Sequence, residues 1–469
     1  MERSLSSSAR RRFQMPHTFV MLVGFMIIMA VLTYILPAGQ FERVDMGGRV
    51  MVVPGSYEVI ASNPQSLFDV LLAIPAGFGE AAHISFFLFI TGGAFAIINE
   101  TGAIAAGIGK LVQVLGNKEA VVIPLIMLFM GIAGATIGLA EETIVLIAIG
   151  ITLSRALGFD SLVGVAMINL GAAIGFYSGF MNPFSVGVAQ GIAELPTFSG
   201  IGLRLILFVV LWIVTSTYVV RYAKKVKENP KNSLVYDIEQ EHRRTNIKTE
   251  LEEFDLKHGL ILTVFAAGFG LIAFGVFEYG WFINEIGAVF LGMGILSGLI
   301  GRMHANDLAN TFVEGAKDMV FAALVVGLAR GVLAVMENGL ILDTIINFFS
   351  NLINQMPSAL SVTGMYVTQI LINFVIPSGS GQAAATMPIM VPLADTLGIT
   401  RQTSVLAFQL GDGFLDSIMP TSGVLMAQLA IARISYTRWA KFLMPLVVIW
   451  LLLGLVFLLY AHATNYGPF

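Results

Sequence analysis

Four carboxylates stand where an apolar sequence tolerates charge least. Glu141 and Glu142 close the interrupted stretch Gly134-Ala135-Thr136-Ile137-Gly138-Leu139-Ala140. Asp412 and Asp416 lie one helical turn apart, just before a run of Pro, Thr, Ser and Gly. A carboxylate inside a bilayer costs about 2.5–3.5 kcal/mol on insertion scales and is a functional hypothesis by default. Four of them favour a cationic ligand group or exchangeable protons over a dianion. Donors and acceptors gather at the same interruptions: Gly138 in the first, then Tyr177, Ser178, Asn182 and Ser185 in a second. Ser378, Gly379, Ser380, Gly381 and Gln382 occupy the third, and Thr421 and Ser422 the fourth. Together these residues are the expected substrate site, with Glu142, Asn182, Asp412 and Asp416 as candidates for ion coupling. The plainer reading is that Gly and Ser serve close helix packing, and it suits the scattered glycines. Likewise a single carboxylate could cap a hairpin or pair with Arg330, which reads as a structural counter-ion.

The remaining chemistry is excluded by what is missing. There is no Cys, the six His show no ligand spacing, and no phosphate loop or nucleophile–base pair occurs. No enzyme, metal site or cofactor is expected; Na⁺ or H⁺ is the expected coupling ion.

The elements that must hold these residues lie in a membrane. Of 469 residues, 56% are hydrophobic and 12% charged, about half the usual charge of soluble chains. A net charge of -4 gives no reason to expect nucleic acid. Residues 1–17 read as a cytoplasmic basic arm, and the apolar run from His17 to Leu36 as an uncleaved first helix. A first repeat spans 18–222, with a polar loop at 37–66, an amphipathic approach and a span at Ser85–Asn99, and an interfacial segment at 103–118. Its re-entrant hairpin covers 120–154, because each arm is short for a crossing, and its broken helix covers 161–192. After a span at 203–220, residues 223–257 form a cytoplasmic linker and 258–278 a connecting transmembrane helix. A second repeat spans 279–462, with spans at 283–300 and 320–336, an interfacial segment at 340–356, a hairpin at 360–397, a broken helix at 403–432 and a last span at 442–460. Non-helical backbone at membrane depth survives only where it is buried in protein or lines a wet cavity.

The two halves superpose in sequence. Gly77 meets Gly315 and Gly93 meets Gly331, each 238 residues apart, and Leu170-Gly171 meets Leu410-Gly411, 240 apart. NPFSVGVAQ, ending at Gln190, meets PTSGVLMAQ, ending at Gln428. With the N-terminus inside and each hairpin counted as no crossing, Lys110, Lys118, Arg155, Arg302, Lys317, Arg433, Arg438, Lys441 and the linker fall inside. Arg43, Arg49, Arg204, Arg401 and the C-terminus fall outside. This is the positive-inside bias, and it makes the repeats inverted, the arrangement that gives alternating access.

At these residues the sequence resembles the DcuC-type carrier family, most closely its YfcC branch. The phrases are LPAGQFER (36–43), GLAEE (138–142), NPFSVGVAQGIA (182–193), GLARG (327–331), PSGSGQAA (377–384), GDGF (411–414) and PTSGVLMA (420–427). The resemblance implies the ion transporter superfamily: an all-α polytopic fold whose two inverted repeats build a transport domain that slides as an elevator against a dimeric scaffold. It places the site at the two tips and two breaks, a homodimer in the lipid bilayer of a bacterial inner membrane, and a small-molecule substrate. Relatives include dicarboxylate carriers and proteins resembling arginine/ornithine antiporters. One departure is Asp416, where the family phrase leads one to expect Asn; the added carboxylate tilts selectivity toward a cation or adds a protonatable group. The expected function is secondary active transport of a small amino or organic acid, first of all a basic amino acid by exchange or uptake. The alternative is Na⁺- or H⁺-coupled transport of a di- or monocarboxylate. A more distant one, a non-transporting subunit of a membrane complex, would call for unbroken helices with chains of Lys, Glu and His. The expected transport domain comprises 120–200 and 360–432, and the scaffold the spans near 18–36, 203–220, 283–300 and 442–460.

Overall fold

A computed structural model describes residues 18–45, 50–53, 55–115, 119–245, 254–281 and 283–467. The basic arm 1–17, Arg49, Lys118 and linker residues 246–253 lie outside them. Among the described residues there are twenty α-helices, seven of them long and apolar enough to cross a membrane. The protein is an integral, multi-pass membrane protein.

The first eight helices after α1 (Thr18–Leu32) are α2 (Leu67–Glu80), α3 (Ala82–Glu100), α4 (Ala103–Leu115), α5 (Val122–Thr136), α6 (Thr143–Ala156), α7 (Ser161–Ser178), α8 (Val186–Ile192) and α9 (Ile201–Glu228). After α10 (Tyr236–Thr245), α11 (Leu256–Tyr279) and α12 (Ile283–Ile300), the same series returns. It comprises α13 (Ala305–Asp318), α14 (Val320–Asn338), α15 (Leu342–Asn354), α16 (Ser358–Asn373), α17 (Gly379–Thr396), α18 (Arg401–Asp416), α19 (Gly423–Ile431) and α20 (Tyr436–Ala463). Corresponding helices have closely similar lengths: α2 and α13 both 14 residues, α3 and α14 both 19, α4 and α15 both 13, α9 and α20 both 28.

Packing partners are exchanged between the two series. Helix α2 packs on α14 while α13 packs on α3, and α6 packs on α19 while α17 packs on α8. Glycine permits the closest of these approaches: a Cβ on Gly77 would collide with the Gly331 backbone. Without a hydrophobic driving force between helices in lipid, such close van der Waals contact is what holds them.

Two units follow from the packing. One contains α1, α2, α3, α12, α13 and α14; the other contains α5 to α9 and α16 to α20. Helices α9 and α20 side with the hairpins, not with the scaffold to which spans 203–220 and 442–460 were assigned. Polar bonds tie them there: the Trp212 indole donates to the Pro124 carbonyl on α5 (2.9 Å) and Trp439 to the Ser417 carbonyl at the end of α18 (2.8 Å), while Trp450 joins α20 to α9 through Thr215 (2.9 Å). Arg204 is a further correction, since it lies in no exposed loop. It occupies the first turn of α9, fully buried, and donates to Gln409 (3.0 Å), Gln402 (3.2 Å) and the Ser199 carbonyl (2.9 Å). Neutral amide oxygens there replace the water that a guanidinium would otherwise need.

The fold also departs from a purely helical one. In loop 37–66, β1 (Gly39–Gln40) pairs with β4 (Glu58–Val59) and β2 (Arg43–Asp45) with β3 (Val50–Val52), all antiparallel. Arg43 ties this loop to Asp343 at 2.8 Å. The amphipathic approach, through Glu80 and His83, divides between two helices: Glu80 ends α2, which a capping box starts where Ser66 and Asp69 bond each other's backbone, and His83 lies in the first turn of α3. In the linker, α10 docks through Glu239 on Arg155 (2.9 Å) and Asp237 on Arg438 (2.7 Å).

Candidate functional site

Each interruption is a local necessity of its residues. At the end of α5, Gly138 takes the left-handed conformation (φ 70°), which turns the first hairpin without steric cost. Gly179 does the same at the end of α7 (φ 42°). The second tip is Phe374 to Ser378, where Pro377 removes a donor and Ser378 caps α17 by accepting from the Gly381 N–H. Pro420 and the Ser422 cap of α19 part the second broken helix in the same way.

All four interruptions open on one cavity of about 170 Å³. Its lining includes Gly138, Glu141, Glu142, Tyr177, Ser378, Gly379, Ser380, Asp412, Asp416 and Ser422. Thr421 lines a smaller neighbouring cavity that shares Glu141, Arg330 and Ser378 with the first. The other expected residues stand behind this surface. Ser178 bonds back to the Gly175 carbonyl at 3.1 Å, and Gly381 gives its N–H to Ser378. Gln382 is fully buried and donates to Gln369 (2.7 Å). Ser185 is fully buried too, and its hydroxyl has no partner among the described residues.

The four ion-coupling candidates fall into different situations. Asn182 donates to the Gly134 carbonyl (2.8 Å) and accepts from the N–H groups of Phe184 (2.9 Å) and Ser185 (3.1 Å). It clamps the first hairpin to the first break and has little left for an ion. Glu142 accepts from the Ala140 N–H at 3.1 Å, so one oxygen caps the tip. Asp412 accepts from the Asn373 amide at 3.2 Å beside Gly379. Asp416 has one buried oxygen with no partner among the described residues.

Several lining residues escape a reading by interruptions alone. Thr143, Asn169 and Gln428 line the cavity as a chain, Asn169 donating to Gln428 and Gln428 to Thr143 (2.6 Å). The available signal was a polar residue inside each apolar span, echoed across the repeat: Asn169 meets Gln409 (409 − 169 = 240) and Gln428 meets Gln190 (428 − 190 = 238). Arg330 also lines the cavity, from α14 of the other unit, together with Ile283 and Ile286 of α12.

Comparison with known proteins gives this site its setting. The Escherichia coli (strain K12) protein YfcC, provisionally named a basic amino acid antiporter, is 35% identical, covering 93% of this chain and 94% of its own. An uncharacterised protein of Haemophilus influenzae is 30% identical, with coverage of 97% and 98%. Among solved structures, the YdaH transporter of Alcanivorax borkumensis is 15% identical, covers 97% of this chain and 100% of that one, and has a TM-score of 0.45. Residues 15–463 match the family described as DcuC, C4-dicarboxylate anaerobic carrier, and the chain belongs to that transporter family.

Proposed function

We propose that the protein is a secondary active transporter of a small amino or organic acid, and first of all of a basic amino acid by exchange. The observation that carries this reading is the meeting of all four interruptions on one cavity holding Glu141, Glu142, Asp412 and Asp416. An amine, or the guanidinium of a basic amino acid, suits such a lining. The relative named as a basic amino acid antiporter, alike over nearly its whole length, supports the same substrate class.

The mechanism we propose is an elevator built on inverted repeats. Two features support the inversion. Helix packing is exchanged between the two series. The hairpins also end apart: the first returns to Arg155 beside linker residue Glu239, the second to Asp395, which pairs with Arg401 (2.8 Å). The moving unit is α5 to α9 with α16 to α20, so it takes in both 28-residue helices α9 and α20. Substrate held between the tips neutralises the carboxylates and lets the unit cross, whereas the empty unit resists. The working form is a homodimer in the cytoplasmic membrane, with the linker and N-terminus inside and the C-terminus outside; Na⁺ or H⁺ couples any net uptake.

The decisive experiment is counterflow of labelled arginine against ornithine in proteoliposomes. Saturable exchange of the two is expected, and no exchange in either direction removes basic amino acids as substrates. A second reading, coupled uptake of a di- or monocarboxylate, rests on the capped starts of α17 and α19 at the cavity, since half-helix N-termini favour anions. The family's own description as C4-dicarboxylate carriers supports it as well. That reading expects transport that collapses with the ion gradient.

A further inference from the structure

We propose that Arg330 is the residue that docks the substrate's carboxylate, and so sets selectivity for carboxylate-bearing over decarboxylated compounds. The inference rests on the transport reading above but not on which acid is carried.

The sequence alone favours a counter-ion role for Arg330, and the structure does not supply the counter-ion. Arg330 is half-buried on α14, and no carboxylate lies within 4.0 Å of its guanidinium among the described residues. It lines both the main cavity and the smaller one beside it, with Glu141, Ser378 and Gly423 shared between the two. Glu141 lines both cavities without an ion pair to Arg330, and Glu337 lies two turns further along α14.

A guanidinium offers a planar fork of N–H donors that matches a carboxylate bidentately. Asp412 and Asp416 stand on α18, which belongs to the other packing unit. Arg330 thus faces the cavity from one unit and the two aspartates face it from the other. A molecule carrying both a carboxylate and a cationic group can bridge the two; a bare amine engages only one.

The test compares arginine with agmatine, which is arginine without its carboxylate, for binding to the purified full chain. The wild type is expected to bind arginine at least about tenfold more tightly, because a site built to hydrogen-bond a group rejects the analogue lacking it. Arg330→Gln should bring arginine down to the level of agmatine and leave agmatine unchanged, the unchanged ligand serving as control for folding. Arg330→Lys, which keeps charge but not the fork, should fall between. Equal weakening of both ligands, or an arginine preference that survives Arg330→Gln, overturns the proposal. If the wild type binds succinate and neither arginine nor agmatine, the basic amino acid reading fails. Arg330→Gln losing succinate then upholds the docking role, and keeping it overturns that role. Binding of none of the three overturns it as well.

Discussion

Asp412 and Asp416 lie one helical turn apart on α18, yet they are not equivalent. Asp412 is held by Asn373 at 3.2 Å, while one oxygen of Asp416 has no partner among the described residues. If Asp416 meets the cationic end of a substrate, Asp416→Asn should abolish arginine–ornithine counterflow and spare dicarboxylate uptake. Loss of both, or of neither, would separate Asp416 from selectivity. Asn182 belongs to a different class despite its position in the first break. Its three bonds go to backbone groups, and leaving such buried groups unsatisfied costs about 1–3 kcal/mol each. Asn182→Ala should therefore lower the melting temperature by several degrees in any salt; a loss confined to Na⁺-dependent behaviour would instead make it an ion ligand. Sequence could locate these residues but not rank them. Carboxylates in apolar runs stand out from composition alone, whereas whether an amide faces ligand or backbone depends on contacts such as Asn182 to Gly134, 48 residues apart.

At the scale of elements, the interruptions were the most legible part of the chain, because Gly, Pro and Ser act on the local backbone whatever the fold. Helices α2 and α13 were less so. Each has only 14 residues, and their identity rests on glycine contacts with distant partners such as Gly331 and Gly92. Arg204 was misplaced for the same reason: its amide partners Gln402 and Gln409 lie about two hundred residues on. The linker helix α10 gives a pH prediction. Burial alone would raise the carboxyl of Glu239, but hydrogen bonds from Arg155 and the Ser161 N–H outweigh it and hold the pKa below its ordinary value. A depressed carboxylate stabilises at neutral pH and loses that contribution as pH falls through its folded-state pKa. Glu239→Gln should lower the melting temperature at pH 7, with the gap to wild type holding down to about pH 4.3 and closing only as pH drops below it. A gap independent of pH would mean that packing, not charge, holds α10.

For the whole molecule, the question is whether the two packing units slide. They touch where α14 meets α19, and a Cβ on Gly423 would lie 3.5 Å from the Ala329 Cβ, within the range that a disulfide requires. Because the chain contains no Cys, Ala329→Cys with Gly423→Cys creates a single lockable pair. Oxidation is expected to stop counterflow and reduction to restore it; transport that continues through the oxidised state would rule out relative motion at this contact. If the units slide as proposed, helix α10, fastened to Arg155 and Arg438, goes with the hairpin unit, while α11 packs on α12 of the other. Only residues 246–255 join them. At about 3.3–3.6 Å per residue fully extended, a strand of chain has a finite reach. The contour length of these residues bounds how far α10 can move from α11, so deleting a few of them should shorten travel before it touches affinity.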